Sequence, residues 1–101
     1  MKELTKKEKI YVLNEMIRYY SNVKGKCECM CWIMIKILKK DLNIYIYYSS
    51  YNDIFPEFYK YALIYKEKNF NPQFLFWLPR GEAKPRLKYC EKLLKVVKDN
   101  N

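Results

Sequence analysis

Four cysteines carry the most reactive chemistry in this 101-residue chain, and three of them alternate: Cys27, Cys29 and Cys31, with Cys90 far downstream. Zinc sites usually present C-x₂-C pairs, which let both thiolates turn toward one ion. On a helix, C-x-C-x-C puts Cys27 and Cys31 on one face and Cys29 near the opposite one. Closing such a site with Cys90 needs the start of that helix unwound, so no metal site is expected. Disulfides are not expected in a chain that shows no secretory signal. The four thiols therefore read as small buried hydrophobes. Cys27, at a helix start between Lys24 and Lys26, is the candidate reactive thiol, but no base stands beside it.

The sequence contains no histidine, which removes Cys-His and Ser-His catalysis and the commonest general base near neutral pH. Serine occurs only at Ser21, Ser49 and Ser50, outside any nucleophile-elbow context, and Gly25 and Gly81 are too few for a phosphate-cradling loop. Asp53 and Glu57 stand four apart at a helix start. Acidic residues there usually cap the helix and complement its dipole. No catalytic residue, metal or cofactor is expected. The chain reads as a binding protein, not an enzyme.

Two stretches supply candidate binding residues. Between Tyr45 and Tyr65 aromatic residues are dense. Phe58, Tyr61 and Tyr65 share a helical face, whereas Tyr47, Tyr48, Tyr51 and Tyr59 exceed what so small a core needs. Tyrosines beside lysines make surfaces that anchor protein partners or stack on bases. The second stretch runs from Trp77 to Arg86. There Arg80, Lys84 and Arg86 stand with Trp77 near a helix N-terminus, where an anion can be held by guanidinium, amides and ring together. The alternative there is structural, with Glu82 pairing to Arg86 on the first turn and Trp77 plugging the core. The formal charge of +9 favours phosphate partners, but it is carried by seventeen lysines against three arginines. Arg is the bidentate reader of phosphate and Lys a hydrated point charge, so the excess reads first as solvated surface.

Stepping from residues to elements, Thr5 and Glu8 have the form of a capping box, and a helix follows from about Lys6 to Tyr20. The stretch Cys27–Leu42 is apolar nearly all round, interrupted only by Glu28, Lys36, Lys39, Lys40 and Asp41. It must be a central helix covered on several sides. A short loop containing Gly25 makes it the antiparallel neighbour of the first helix. Residues 43–48 and 73–78 are strand-length apolar or aromatic runs, expected as short extended segments. Between them Pro56 suits the first turn of a helix reaching about Lys66, with Asn52 or Asp53 as its cap. Leu87, Cys90, Leu93, Leu94 and Val97 make the core stripe of a last helix. The expected fold is one mainly α domain over 1–101, a small bundle of about four helices with two short extended segments.

Gly25-Lys26-Cys27 opening an apolar helix, Ile54-Phe55-Pro56-Glu57-Phe58, and Phe76-Trp77-Leu78-Pro79 followed by Arg86 and Leu93-Leu94 come in a definite order and spacing. In this the chain resembles a group of short uncharacterised proteins from tailed bacteriophages, including crAss-like phages of gut Bacteroidetes. Glu28 and Cys29 depart from the small or apolar residues usual after Gly-x-Cys in that group. No activity carries over from it. The resemblance implies expression inside a bacterial host and action on a host factor, for instance a defence system. No segment is long and apolar enough to span a bilayer, and the amino end has no apolar signal region, so a cytoplasmic location and no membrane partner are expected. Two readings stay open: binding to a host protein, or binding to a nucleic acid or nucleotide. A homodimer is compatible with either.

Overall fold

The first helix begins where the capping box requires. In the computed structural model, which describes residues 2–68, 70–78 and 81–100, Thr5 Oγ1 accepts the Glu8 amide at 3.1 Å, and the Thr5 amide donates to the Glu8 carboxylate at 2.9 Å. Helix α1 (Lys6–Asn22) follows, burying Val12, Leu13, Met16 and Tyr20 along one face. Gly25 takes a φ of +82°, a conformation that costs little only without a Cβ, and turns the chain into strand β1 (Lys26–Cys27). Helix α2 (Met30–Leu42) ends at Asn43, which adopts a left-handed φ of 56°. A 3-10 turn (Tyr48–Ser50), α3 (Tyr51–Ile54), α4 (Pro56–Ile64), α5 (Pro72–Trp77), strand β2 (Gly81–Glu82) and α6 (Ala83–Asp99) complete the described chain. The mainly helical single domain follows the expectation, with more and shorter helices than the four expected.

Several expectations are corrected. The central helix starts at Met30, not Cys27, because Cys27 pairs in a two-stranded antiparallel sheet with the register Lys26↔Glu82 and Cys27↔Gly81. Residues 73–78 are not extended. Asn71 caps a helix there, its side chain accepting the Phe74 amide at 3.2 Å, and Pro72 occupies the first turn. Residues 44–47, beyond the left-handed Asn43, form neither helix nor strand and join no sheet. Asn52 and Asp53 lie within α3, and α4 starts after Phe55 without a side-chain cap. Helix α1 does neighbour α2, as expected, but packs more extensively on α6, since these two 17-residue helices carry the longest apolar stripes. Helix α2 is covered by α1, α5 and the 3-10 turn, as an element apolar on several sides must be.

Aromatic rings fill the other half of the core. Tyr89, fully buried on α6, donates its hydroxyl to the Phe58 carbonyl and stacks on Phe70 with ring centroids 4.6 Å apart. Phe58 and Phe76 meet beside it at 5.0 Å. These contacts bind α4, α5 and α6 together.

Glu57 is committed to structure rather than to a carboxylate pair with the exposed Asp53. Its two oxygens accept from the buried Lys9 ammonium at 2.9 and 2.8 Å, and Glu3 closes over the same nitrogen. Burial pushes the Lys9 ammonium toward the neutral form, but the two carboxylates outweigh it and hold its pKa above the ordinary 10.5. Because folding raises this value, the pair's contribution is complete below about pH 10 and fades as pH climbs through the folded value. Glu57→Gln is therefore expected to cost about 2 kcal/mol at neutral pH, less than for a fully buried pair because Glu57 keeps some solvent. Urea unfolding of both proteins should show the gap narrowing above about pH 11, and an unchanged gap would refute the assignment.

Candidate functional site

The segment from Trp77 to Arg86 is split by the fold. Arg86, on the first turns of α6, is fully buried and forms no pair with the exposed Glu82. Its Nε donates to the Leu75 carbonyl at 3.0 Å, and its Nη2 donates to the carbonyls of Phe74 at 3.3 Å and Leu78 at 2.9 Å. Nη1 donates to the Cys27 carbonyl at 3.2 Å and to Cys27 Sγ at 3.4 Å. A guanidinium has five N–H groups, and each has an acceptor here. Arg86 therefore has no donor left for an external anion, which corrects its place among the binding residues. Three of its acceptors are carbonyls at the end of α5, the negative pole of that helix, and that of Phe74 also accepts the Leu78 amide at 3.2 Å.

Cys27 is drawn into the same knot. Its thiol donates to the Gly81 carbonyl at 3.2 Å, across the β1–β2 pair. All four cysteines are buried and free, and burial pushes the thiols of Cys31 and Cys90 well above their ordinary range. Among the described residues no cluster of three or more His, Cys, Asp or Glu side chains is placed to hold a metal ion. Cys27 is thus a packed thiol, not an exposed one at a helix tip.

Other candidates do converge. Tyr51, Tyr59 and Trp77 line one cleft of about 580 Å³ between α3–α4 and α5, a volume within the range of ligand pockets. Tyr48 stands behind it, its ring 5.0 Å from that of Trp77, with its hydroxyl against Cys29 Sγ at 2.8 Å. Burial, then that hydrogen bond, raises the Tyr48 pKa and keeps the phenol neutral. Tyr51 is buried and forms the floor, edge-on to Trp77 at 5.2 Å, so it is not the exposed tyrosine expected. Tyr47 lies exposed, in extended conformation just before the 3-10 turn, outside the cleft. Lys84 lies in a separate depression with Glu67, Lys68 and Lys88. Arg80 lies outside the described residues.

Sequence reasoning missed the rest of this face. Asn52, Asn71 and Gln73 add side-chain amides, and Leu63 supplies an apolar rim. Leu63 is 61% exposed and its neighbour Ile64 69%, although both are large aliphatics on a helix. A shallower depression shares Asn71, Gln73 and Trp77 with the cleft and adds the exposed Phe74 and Leu78, so the surface continues across α5. The Asn71-Pro72 helix start was the sequence signal that could have found it. Among the described residues no charged side chain lines the cleft. It offers ring faces, amide donors and acceptors, and no group that exchanges protons near neutral pH.

The fold and this face define a small mainly helical domain with a two-stranded sheet and an aromatic, amide-lined groove. Comparison of the chain with protein-family models, curated proteins and solved structures finds no significant match. Among the described residues no helix is long and apolar enough to cross a membrane.

Proposed function

We propose that this protein is a non-enzymatic binding protein that holds a segment of a protein partner against the α4–α5 face. The observation that carries this reading is the set of exposed apolar side chains, Leu63, Phe74 and Leu78, around an aromatic cleft lined by no charge among the described residues. Large contiguous apolar patches on a small domain mark interaction surfaces, and a Trp and tyrosines at their centre are typical anchors. The amides of Asn52 and Gln73 suit the main-chain groups of a bound peptide segment. The resemblance to short tailed-phage proteins supports a bacterial host protein, such as a component of its defences, as the partner.

The test uses Leu63→Glu, an exposed substitution expected to leave folding within about 0.5 kcal/mol of the parent. Parent and variant are immobilised and exposed to nuclease-treated bacterial lysate. A protein retained stoichiometrically by the parent and about 30-fold more weakly by the variant supports the reading, since covering a carboxylate with a partner's apolar surface costs about 2 kcal/mol. Identical retention by both overturns it. Light scattering on the pure protein identifies the case in which the partner is a second copy.

A further inference from the structure

The solvent side of α2 carries a second surface that neither the core nor the α4–α5 face uses. Counted at 100° per residue, Trp32, Lys36, Lys39 and Lys40 fall within about 100° of arc, and all four are exposed. Beyond the left-handed turn at Asn43, where the Ile44 amide bonds to the Leu38 carbonyl at 2.9 Å, the chain doubles back along this face. Burial alternates there. Ile44 and Ile46 pack on the core, while Tyr45 is 64% and Tyr47 81% exposed.

The register of the return is fixed at both ends. Lys39 Nζ sits 5.9 Å over the Tyr45 ring, and the Tyr48 ring lies 6.4 Å from that of Trp32. Seven helical residues from Trp32 to Lys39 rise about 10 Å, as do three extended ones from Tyr45 to Tyr48. Lys36 Nζ lies 5.4 Å over the Trp32 ring. Exposed rings and ammonium groups thus alternate along one strip. Among the described residues these lysines make no ion pair, and the nearest acid in sequence, Asp41, sits half a turn away and accepts the Tyr11 hydroxyl at 2.8 Å.

We infer that this strip binds single-stranded nucleic acid, with bases stacking on Trp32, Tyr45 and Tyr47 and phosphates held by Lys36, Lys39 and Lys40. Lysines without carboxylates suit an anionic partner, and rings between them suit flat faces spaced along it. A single strand offers both. A duplex hides its base faces, and the strip has no arginine with which to read a groove.

The experiment titrates a fluorescent fifteen-nucleotide oligo-dT and a duplex of equal length into the pure protein at several salt concentrations. The single strand is expected to bind more tightly, with log K falling against log salt at a slope near −2 for three neutralised phosphates. Trp32→Ala should weaken it at least about tenfold. Lys36→Ala with Lys39→Ala should bring the slope to about −0.7. Lys92→Ala with Lys95→Ala, on the outside of α6, is the control for diffuse attraction. Equal affinity for the duplex, an unaltered Trp32→Ala affinity, or a control as damaging as the α2 pair each overturns the proposal. Leu63→Glu should leave the oligonucleotide titration unchanged, so failure of one surface is distinguishable from failure of the other.

Discussion

Replacing Arg86 by Met is expected to remove about 4–6 kcal/mol of stability, the largest loss of any single change in this protein. Met keeps the apolar stem but leaves the carbonyls of Cys27, Leu75 and Leu78 without the guanidinium donor, while the Phe74 carbonyl keeps only the Leu78 amide. Each buried orphan costs about 1–3 kcal/mol, less wherever the chain relaxes to admit water. A domain of this length has roughly 5–15 kcal/mol in total, so the variant should lose a large share of it and melt well below the parent. Helix α5 is the reason the loss cannot stay local. Its six residues are too few to hold a helix alone, and the guanidinium joins its C-terminal carbonyls to β1. Arg86→Lys should recover less than half, because one ammonium with three N–H groups cannot fan onto five acceptors. Circular dichroism melts check this directly. A melting point within about 5 °C of the parent would show that the carbonyls find other partners.

How much of this was legible in the sequence differs from residue to residue. The capping box at Thr5 and Glu8, the turn at Gly25 and the stripe Cys90, Leu93, Val97 rest on local chemistry, and the structure bears them out. Arg86 lies four residues before Cys90 on that same stripe, so its position pointed inward. Its charge pointed outward, because an arginine is almost never fully buried unless its donors are met. What meets them is a helix end, and that helix was not foreseen. Gln73-Phe74-Leu75-Phe76-Trp77-Leu78 between two prolines has the length and bulk of a strand, and six residues are too few for a helical period to show. The same error hid the cleft. Tyr51, Tyr59 and Trp77 were chosen by type, but their meeting depends on α5 presenting Gln73 and Trp77 to α3 and α4. Strands of two residues each carry no alternation at all, so the β1–β2 pair is visible only in three dimensions.

Gly81→Ala tests the same knot from its other side and should cost about 2–4 kcal/mol. A Cβ built on Gly81 would stand 2.4 Å from Arg86 Nη2, 2.5 Å from Nη1 and 2.6 Å from Cζ, all inside van der Waals contact. The far end of an arginine usually swings aside at little cost. This one is held by its acceptors in a buried site, and moving it breaks several hydrogen bonds at once. Gly25 is the contrasting case, with a positive φ and open space around its would-be Cβ, so its requirement is conformational. The two causes separate in a double-mutant cycle. Urea unfolding in an osmolyte that keeps Arg86→Met folded should show Gly81→Ala nearly silent in that background, because the space its methyl needs has been vacated. An equal cost in both backgrounds would place the requirement in the backbone of β2 instead. The thiol of Cys27, which donates to the Gly81 carbonyl, would then be the residue that fixes the pair.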